Sequence, residues 1–152
     1  MKKLLRMERP SATTGIMPPA GIRVVPYRSG QHHDRVPAIY AASFGEEPWP
    51  ANWDQFDEFD PQGLFLAEDE STQEPVGYAI CFQRRDFGYI SVVAVIPAYQ
   101  RRGIASALVG VAIDYLHSLG LDTVRIDAYE ESTPAVRTYE KLGFQVFDVL
   151  HE

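Results

Sequence analysis

Apolar and polar positions change period in a regular order along this 152-residue chain. Residues 22–27, Ile22-Arg23-Val24-Val25-Pro26-Tyr27, read as a short first strand. A helix is expected over residues 34–44, with Asp34 as its N-cap and Pro37 tolerated in the first turn. Residues 63–68 and 76–82 read as two strands around the polar turn 69–75. A second turn, Asp86-Phe87-Gly88, leads into residues 89–96, which are apolar almost throughout, as in a strand covered on both faces. Ile104, Ala107, Leu108, Val111, Ala112, Tyr115, Leu116 and Leu119 then recur at helical spacing, and Gly120 ends that helix. Residues 123–129 alternate, with Val124, Ile126 and Ala128 on one face and Arg125, Asp127 and Tyr129 on the other. The helix-length gap before this strand implies a parallel pair with a right-handed crossover. Pro134 opens a last helix through Leu142, Gly143 closes it, and residues 144–150 form a final strand. The sum is an α/β (α+β) fold, a mixed sheet with helices on both faces.

Composition adds limits. One domain is expected over residues 22–152, long enough to bury a real core. Residues 1–21 read as a flexible N-terminal tail, disordered or vector-derived, basic at first and then rich in Ser, Thr, Pro and Gly. Leu4-Leu5 is too short for the apolar core of a signal peptide. The net charge is −7, while the first nine residues carry +3 and leave −10 on the rest. An acidic body argues against nucleic acid and mildly favours a cationic substrate. A single cysteine, Cys81, excludes an internal disulfide and suits a reducing cytoplasm. No apolar run approaches the ~20 residues of a membrane span, so no membrane partner is expected. The spacing of His32, His33, His117 and His151 does not suit a zinc site, and no metal is expected.

Between the apolar strand 89–96 and the long helix stands Gln100-Arg101-Arg102-Gly103-Ile104-Ala105. A helix start presents unpaired N–H groups and a partial positive charge. Gly103 removes the side chain that would keep a phosphate from the backbone, and Arg101 and Arg102 add charge. The segment reads as a phosphate cradle or, more plainly, as a capped helix with a basic first turn. Neither a P-loop nor G-x-G-x-x-G occurs.

The pattern Val95-x-Pro97-x-x-Gln100-x-x-Gly103-x-Ala105 resembles the acetyl-CoA motif of the GCN5-related N-acetyltransferase (GNAT) family. Ser132-Thr133-Pro134-Ala135 through Tyr139 to Gly143-Phe144 resembles its second pattern, Asn-x-x-Ala-x-x-x-Tyr-x-x-x-Gly-Phe. Ser132 stands where the family often has an asparagine that contacts coenzyme A. The likeness runs from about Ile22 to the C-terminus. It implies a GNAT fold, a mixed sheet of six to seven strands flanked by about four helices. It also implies transfer from acetyl-CoA to a primary amine of a small molecule or peptide, by direct attack in a ternary complex. A non-catalytic acyl-CoA sensor or interaction module of the same fold is the alternative.

The resemblance further implies roles for particular residues. Val93, Ala94 and Val95 would bind the pantetheine arm, and Arg101, Arg102, Gly103, Ile104, Ala105 and Ser106 the diphosphate, with Ser132 nearby. Tyr139 matches the tyrosine assigned as general acid, or packs the last helix onto the sheet. Asp127 occupies the strand position of a glutamate base in a branch that acetylates ribosomal proteins. It could take the proton, hold the amine, orient a water or remain a solvated charge. The segment 44–60 combines aromatics with acids and contains no Lys or Arg. There Trp49, Trp53, Glu46 and Glu47 would bind a cationic acceptor, or Trp53 and Phe56 would face the core of an amphipathic helix. The oligomeric state is left open, a homodimer included.

Overall fold

The computed structural model describes residues 2–152. The strands and helices follow the sequence periods closely after residue 21 and depart from them before it. In chain order they are β1 (Lys3–Pro10), β2 (Ile22–Pro26), α1 (Ser29–His32), α2 (Arg35–Phe44), β3 (Leu64–Asp69), β4 (Pro75–Gln83), β5 (Gly88–Val95), α3 (Ile104–Ser118), β6 (Thr123–Tyr129), α4 (Thr133–Lys141) and β7 (Gln145–His151). The strands form one sheet in the order β2-β3-β4-β5-β6-β1-β7, and β5 and β6 are the parallel neighbours.

Strand β1 corrects the expectation of a flexible tail. It lies inside the sheet, antiparallel to β6 from Leu4↔Tyr129 to Pro10↔Thr123, and antiparallel to β7 on its other edge. Leu5 and Met7 point into the main core, packed with Val109, Ile113, Val124 and Ile126. Arg6 and Glu8 point the other way and meet Asp127, Asp148 and Arg125 on the flanking strands. The strand therefore contributes only two core side chains, while Arg6 and Glu8, partly exposed, meet opposite charges on the neighbouring strands.

Residues 11–21 carry the chain from this middle strand to the far edge. They cross the outer surface of α3, where the Thr14 amide donates to Asp114 Oδ1 at 2.9 Å. A glycine inside a helix costs about 1 kcal/mol relative to alanine, and Gly110 has a packing reason for it. A Cβ there would stand 3.1 Å from both Ile16 Cβ and Thr14 Oγ1.

Helix α3 buries Ile104, Leu108, Ile113 and Leu116 against the sheet, beside α4. Helix α2 packs on the opposite face over β4 and β5, and Val36 and Ile39 join Leu64, Leu66 and Tyr78 there. Asp34 stands at the N-cap position of α2, but its carboxylate accepts from His33 Nδ1 instead of capping. His33 Nε2 donates to the Ala51 carbonyl at 2.7 Å, tying down the irregular loop that follows. Only short 3₁₀ turns, Trp53–Gln55 and Pro61–Gly63, interrupt that loop, so no amphipathic helix forms there. Among the described residues, no helix is long and apolar enough to cross a membrane.

Two outcomes test this packing. Met7 is wholly buried, so Met7→Ala should cost about 2–5 kcal/mol in denaturant unfolding, whereas a side chain in a tail would cost almost nothing. Burial pushes the Cys81 thiol and the Tyr139 phenol up to about 12, and burial with the Asp127 carboxylate does the same to Tyr89. Folded values above the unfolded ones favour the neutral forms. Their contribution to stability is complete below about pH 9 and is lost as pH rises toward 12. The thermal midpoint should hold from pH 7 to 8.5 and fall steadily above about pH 9.

Candidate active site

Strands β5 and β6 pair only at Gly88↔Val124, Tyr89↔Arg125 and Ile90↔Ile126. Beyond that point β5 keeps its ladder with β4 as far as Val95 but leaves β6. The register explains the parting. Ile80 pairs with Val92 and Cys81 with Ile90, so Ser91 is an extra residue, a bulge that bends β5. The wedge between the two strands opens into two cavities.

The first cavity, of about 360 Å³, lies against the turn that starts α3. Ile96 and Gln100 are extended on either side of the short turn Pro97–Tyr99, and the Gln100 amide donates to the Val95 carbonyl at 2.9 Å. That bond braces the turn against the end of β5. Arg101 and Gly103 then both take left-handed backbone, φ 63° and 84°. A non-glycine residue there is unusual. Alternation of this kind turns successive amides toward one concavity and makes an anion nest at a helix start. A Cβ on Gly103 would meet nothing within 4 Å, so the space in front of it is open.

The second cavity, of about 420 Å³, lies on the α2 side of the sheet. Tyr40 and Phe44 wall it from α2, Tyr89 and Ser91 from β5, Asp127 and Tyr129 from β6, and Leu4 from β1. The two cavities share Val93, Ala135 and Tyr139. Tyr139 is buried, with its ring edge-on to Phe144 at 6.2 Å. Burial holds its phenol protonated at neutral pH, with a pKa of about 12.

The sequence-expected residues divide between these places. Val93, Val95, Arg101, Gly103, Ile104, Ala105 and Ser106 line the first cavity. The side chain of Ala94 faces away, into the core beneath α2. Arg102 leans over the Tyr99 ring at 4.9 Å and borders a neighbouring cavity beside Asp69. Left-handed Arg101 turns the chain, so consecutive arginines diverge. Ser132 lines the second cavity rather than the first, beside Asp127.

The acceptor expectation for the loop is corrected in placement. Trp53 is buried in the core, stacked on His33 and edge-on to Trp49 and Phe59. Trp49 packs on the same cluster, and Glu46 and Glu47 are exposed. None of the four lines the second cavity. Its aromatic wall is Tyr40, Phe44, Tyr89, Tyr129 and Tyr139; Phe44 opens the aromatic and acidic segment 44–60, while Tyr40 and Tyr89 carried no signal as acceptor residues. The alternation of β6 was the available signal for Tyr129, because it shares a face with Asp127.

Comparison with known proteins agrees with this architecture. The acetyltransferase (GNAT) family matches residues 33–144. The mycothiol acetyltransferase of Mycobacteroides abscessus is 34% identical over 158 aligned residues, covering 96% of this chain and 53% of that protein. That of Thermobispora bispora is 32% identical, covering 94% and 54%. The chain thus spans about half the length of these curated relatives. A GCN5-related N-acetyltransferase from Sphaerobacter thermophilus superposes with a TM-score of 0.82 at 22% identity, over 97% of this chain and 49% of that one. The NatC complex bound to Gag peptide and CoA gives 0.72 at 25% identity, over 84% and 86%. A family match that starts just after α1 and ends just past α4 takes in the parted strands, the left-handed turn and Tyr139 alike, and so this chain belongs to the GNAT acetyltransferase family.

Proposed function

We propose that this unit transfers the acetyl group of acetyl-CoA to a primary amine by direct attack, with donor and acceptor bound together. The observation that carries this reading is the meeting of the two cavities at Val93, Ala135 and Tyr139. A thioester entering from one side and an amine from the other would touch there. Holding both in reacting contact replaces a bimolecular encounter and lowers the barrier by about 7–11 kcal/mol when alignment is good. The acetyltransferase relatives and the CoA-bound NatC neighbour support the choice of donor.

The left-handed turn suits a diphosphate, since Arg101 and the open face of Gly103 line the first cavity. The edge of β5 from Ser91 to Val95 has lost its β6 partner, and an extended pantetheine arm would restore one. A freed amide on that edge would polarise the thioester carbonyl and hold the oxyanion. The acceptor ammonium first gives one proton to solvent, and the neutral nitrogen then attacks the carbonyl carbon and forms the C–N bond. Collapse breaks the C–S bond, and the amine proton leaves to water in the second cavity. Tyr139 stands where the departing thiolate forms. With its phenol near 12 against an ordinary thiol near 8.5, full proton transfer is uphill by about 5 kcal/mol. Tyr139 therefore acts as a hydrogen-bond donor to the thiolate, which picks up its proton afterwards. Asp127, in the second cavity, draws the cationic acceptor.

The decisive experiment follows thiol release from acetyl-CoA across primary amines, amino acids, aminoglycosides and short peptides. Stimulated release by one class is expected; tight acetyl-CoA binding without any stimulated release would make this a binding module instead. Tyr139→Phe should lower kcat by roughly 10- to 100-fold while acetyl-CoA affinity stays within about twofold. Gly103→Val should do the reverse, weakening acetyl-CoA binding by roughly tenfold or more in calorimetry. A β-carbon would then stand in the phosphate space on left-handed backbone.

A further inference from the structure

Asp127 does not stand alone in the second cavity. The Tyr89 hydroxyl donates to its Oδ2 at 2.9 Å, and Arg6 Nε lies 4.0 Å from its Oδ1. Arg6 and Asp127 are direct cross-strand partners, and Arg6 Nη1 also lies 3.8 Å from Asp148 on its other flank. One guanidinium thus sits between two carboxylates on neighbouring strands. Arg84 in turn lies over the Tyr89 ring, 5.7 Å from its centroid. Tyr89 stays protonated, because burial and the Asp127 carboxylate push it up to about 12. Asp127 therefore accepts from the hydroxyl as a carboxylate, with its side chain 23% exposed toward the cavity. Its two oxygens are oriented from β5 on one side and β1 on the other.

We propose that Tyr89 and Arg6 are positioning residues that hold Asp127 as the docking carboxylate for a cationic acceptor, so that the N-terminal strand completes the acceptor half of the site. This rests on the acetyl-transfer reading above. A carboxylate bound by a hydroxyl and faced by a guanidinium is a fixed, oriented anion. Five aromatic side chains, Tyr40, Phe44, Tyr89, Tyr129 and Tyr139, line the same cavity with Leu4. An ammonium group there gains charge pairing and ring contacts together. Arg6 also offsets one of the two nearby negative charges, which keeps Asp127 and Asp148 from repelling across β1.

The test reads the acceptor separately from the donor. With an amine that stimulates thiol release, Tyr89→Phe should raise the amine KM by roughly 5- to 30-fold. Turnover at saturation and acetyl-CoA affinity should stay within about twofold. Arg6→Gln should raise KM in the same direction, and Arg6→Lys should restore most of it. The diagnostic readout is the double variant: in an Asp127→Asn background, Tyr89→Phe should have no further effect on KM. A Tyr89→Phe effect that persists without Asp127, or falls on kcat or acetyl-CoA binding instead, overturns the proposal. If no amine stimulates release, the acetyl-transfer reading fails by itself. The positioning claim is then read by calorimetry with 1,4-diaminobutane in the presence of coenzyme A. Binding weakened by Tyr89→Phe supports the claim, and unchanged or absent binding sinks it.

Discussion

The rest of the molecule is arranged around two parallel strands that hydrogen-bond for three residues and then separate. Sheet backbone left without a partner is costly unless water or a ligand takes its place. The bulge at Ser91 forces the separation, and the β4 ladder keeps β5 straight and rigid beyond it. Everything the site needs is hung on this fork. The Gln100 side chain ties the left-handed turn before α3 to the end of one prong, and α4 fills the crotch with Tyr139.

The second prong depends on a strand from the far end of the chain. β6 has β5 on one edge for three residues only, so its main ladder is with β1. That ladder is built with few apolar contacts. Cross-strand ion pairs at this degree of exposure contribute little each, and Leu5, Met7 and the backbone bonds do most of the holding. The charges instead place a guanidinium beside the carboxylate of β6 that lines the second cavity.

The sequence was most legible where one physical rule dominated. Helix α3 announces itself by its apolar stripe, and Gly120 and Gly143 end helices at φ 83° and 94°, where a side chain would be strained. Strand β5 reads as an apolar run because both its faces are covered. Strand β1 was illegible for the opposite reason. Three apolar side chains among charges look like a solvated tail, and the charges that answer Arg6 and Glu8 lie more than a hundred residues away. The loop 45–63 carried an ambiguous signal as well, since aromatic and acidic composition has no period and so no direction. Its tryptophans turned inward, toward His33 and Phe59. Arg102 shows the limit at single-residue scale: one left-handed residue before it sends its side chain to another surface.

The same distant pairing bears on how the chain comes together. During synthesis β1 emerges more than a hundred residues before either of its partners, β6 and β7. At about 5–20 residues per second, roughly 5 to 20 seconds pass before its first partner exists. Through that time Leu5 and Met7 have no core to enter, and both edges of the strand are unpaired. High sequence separation of this kind slows folding. The wall that β1 and β6 give the second cavity is therefore finished late, closing only when two segments more than a hundred residues apart have met.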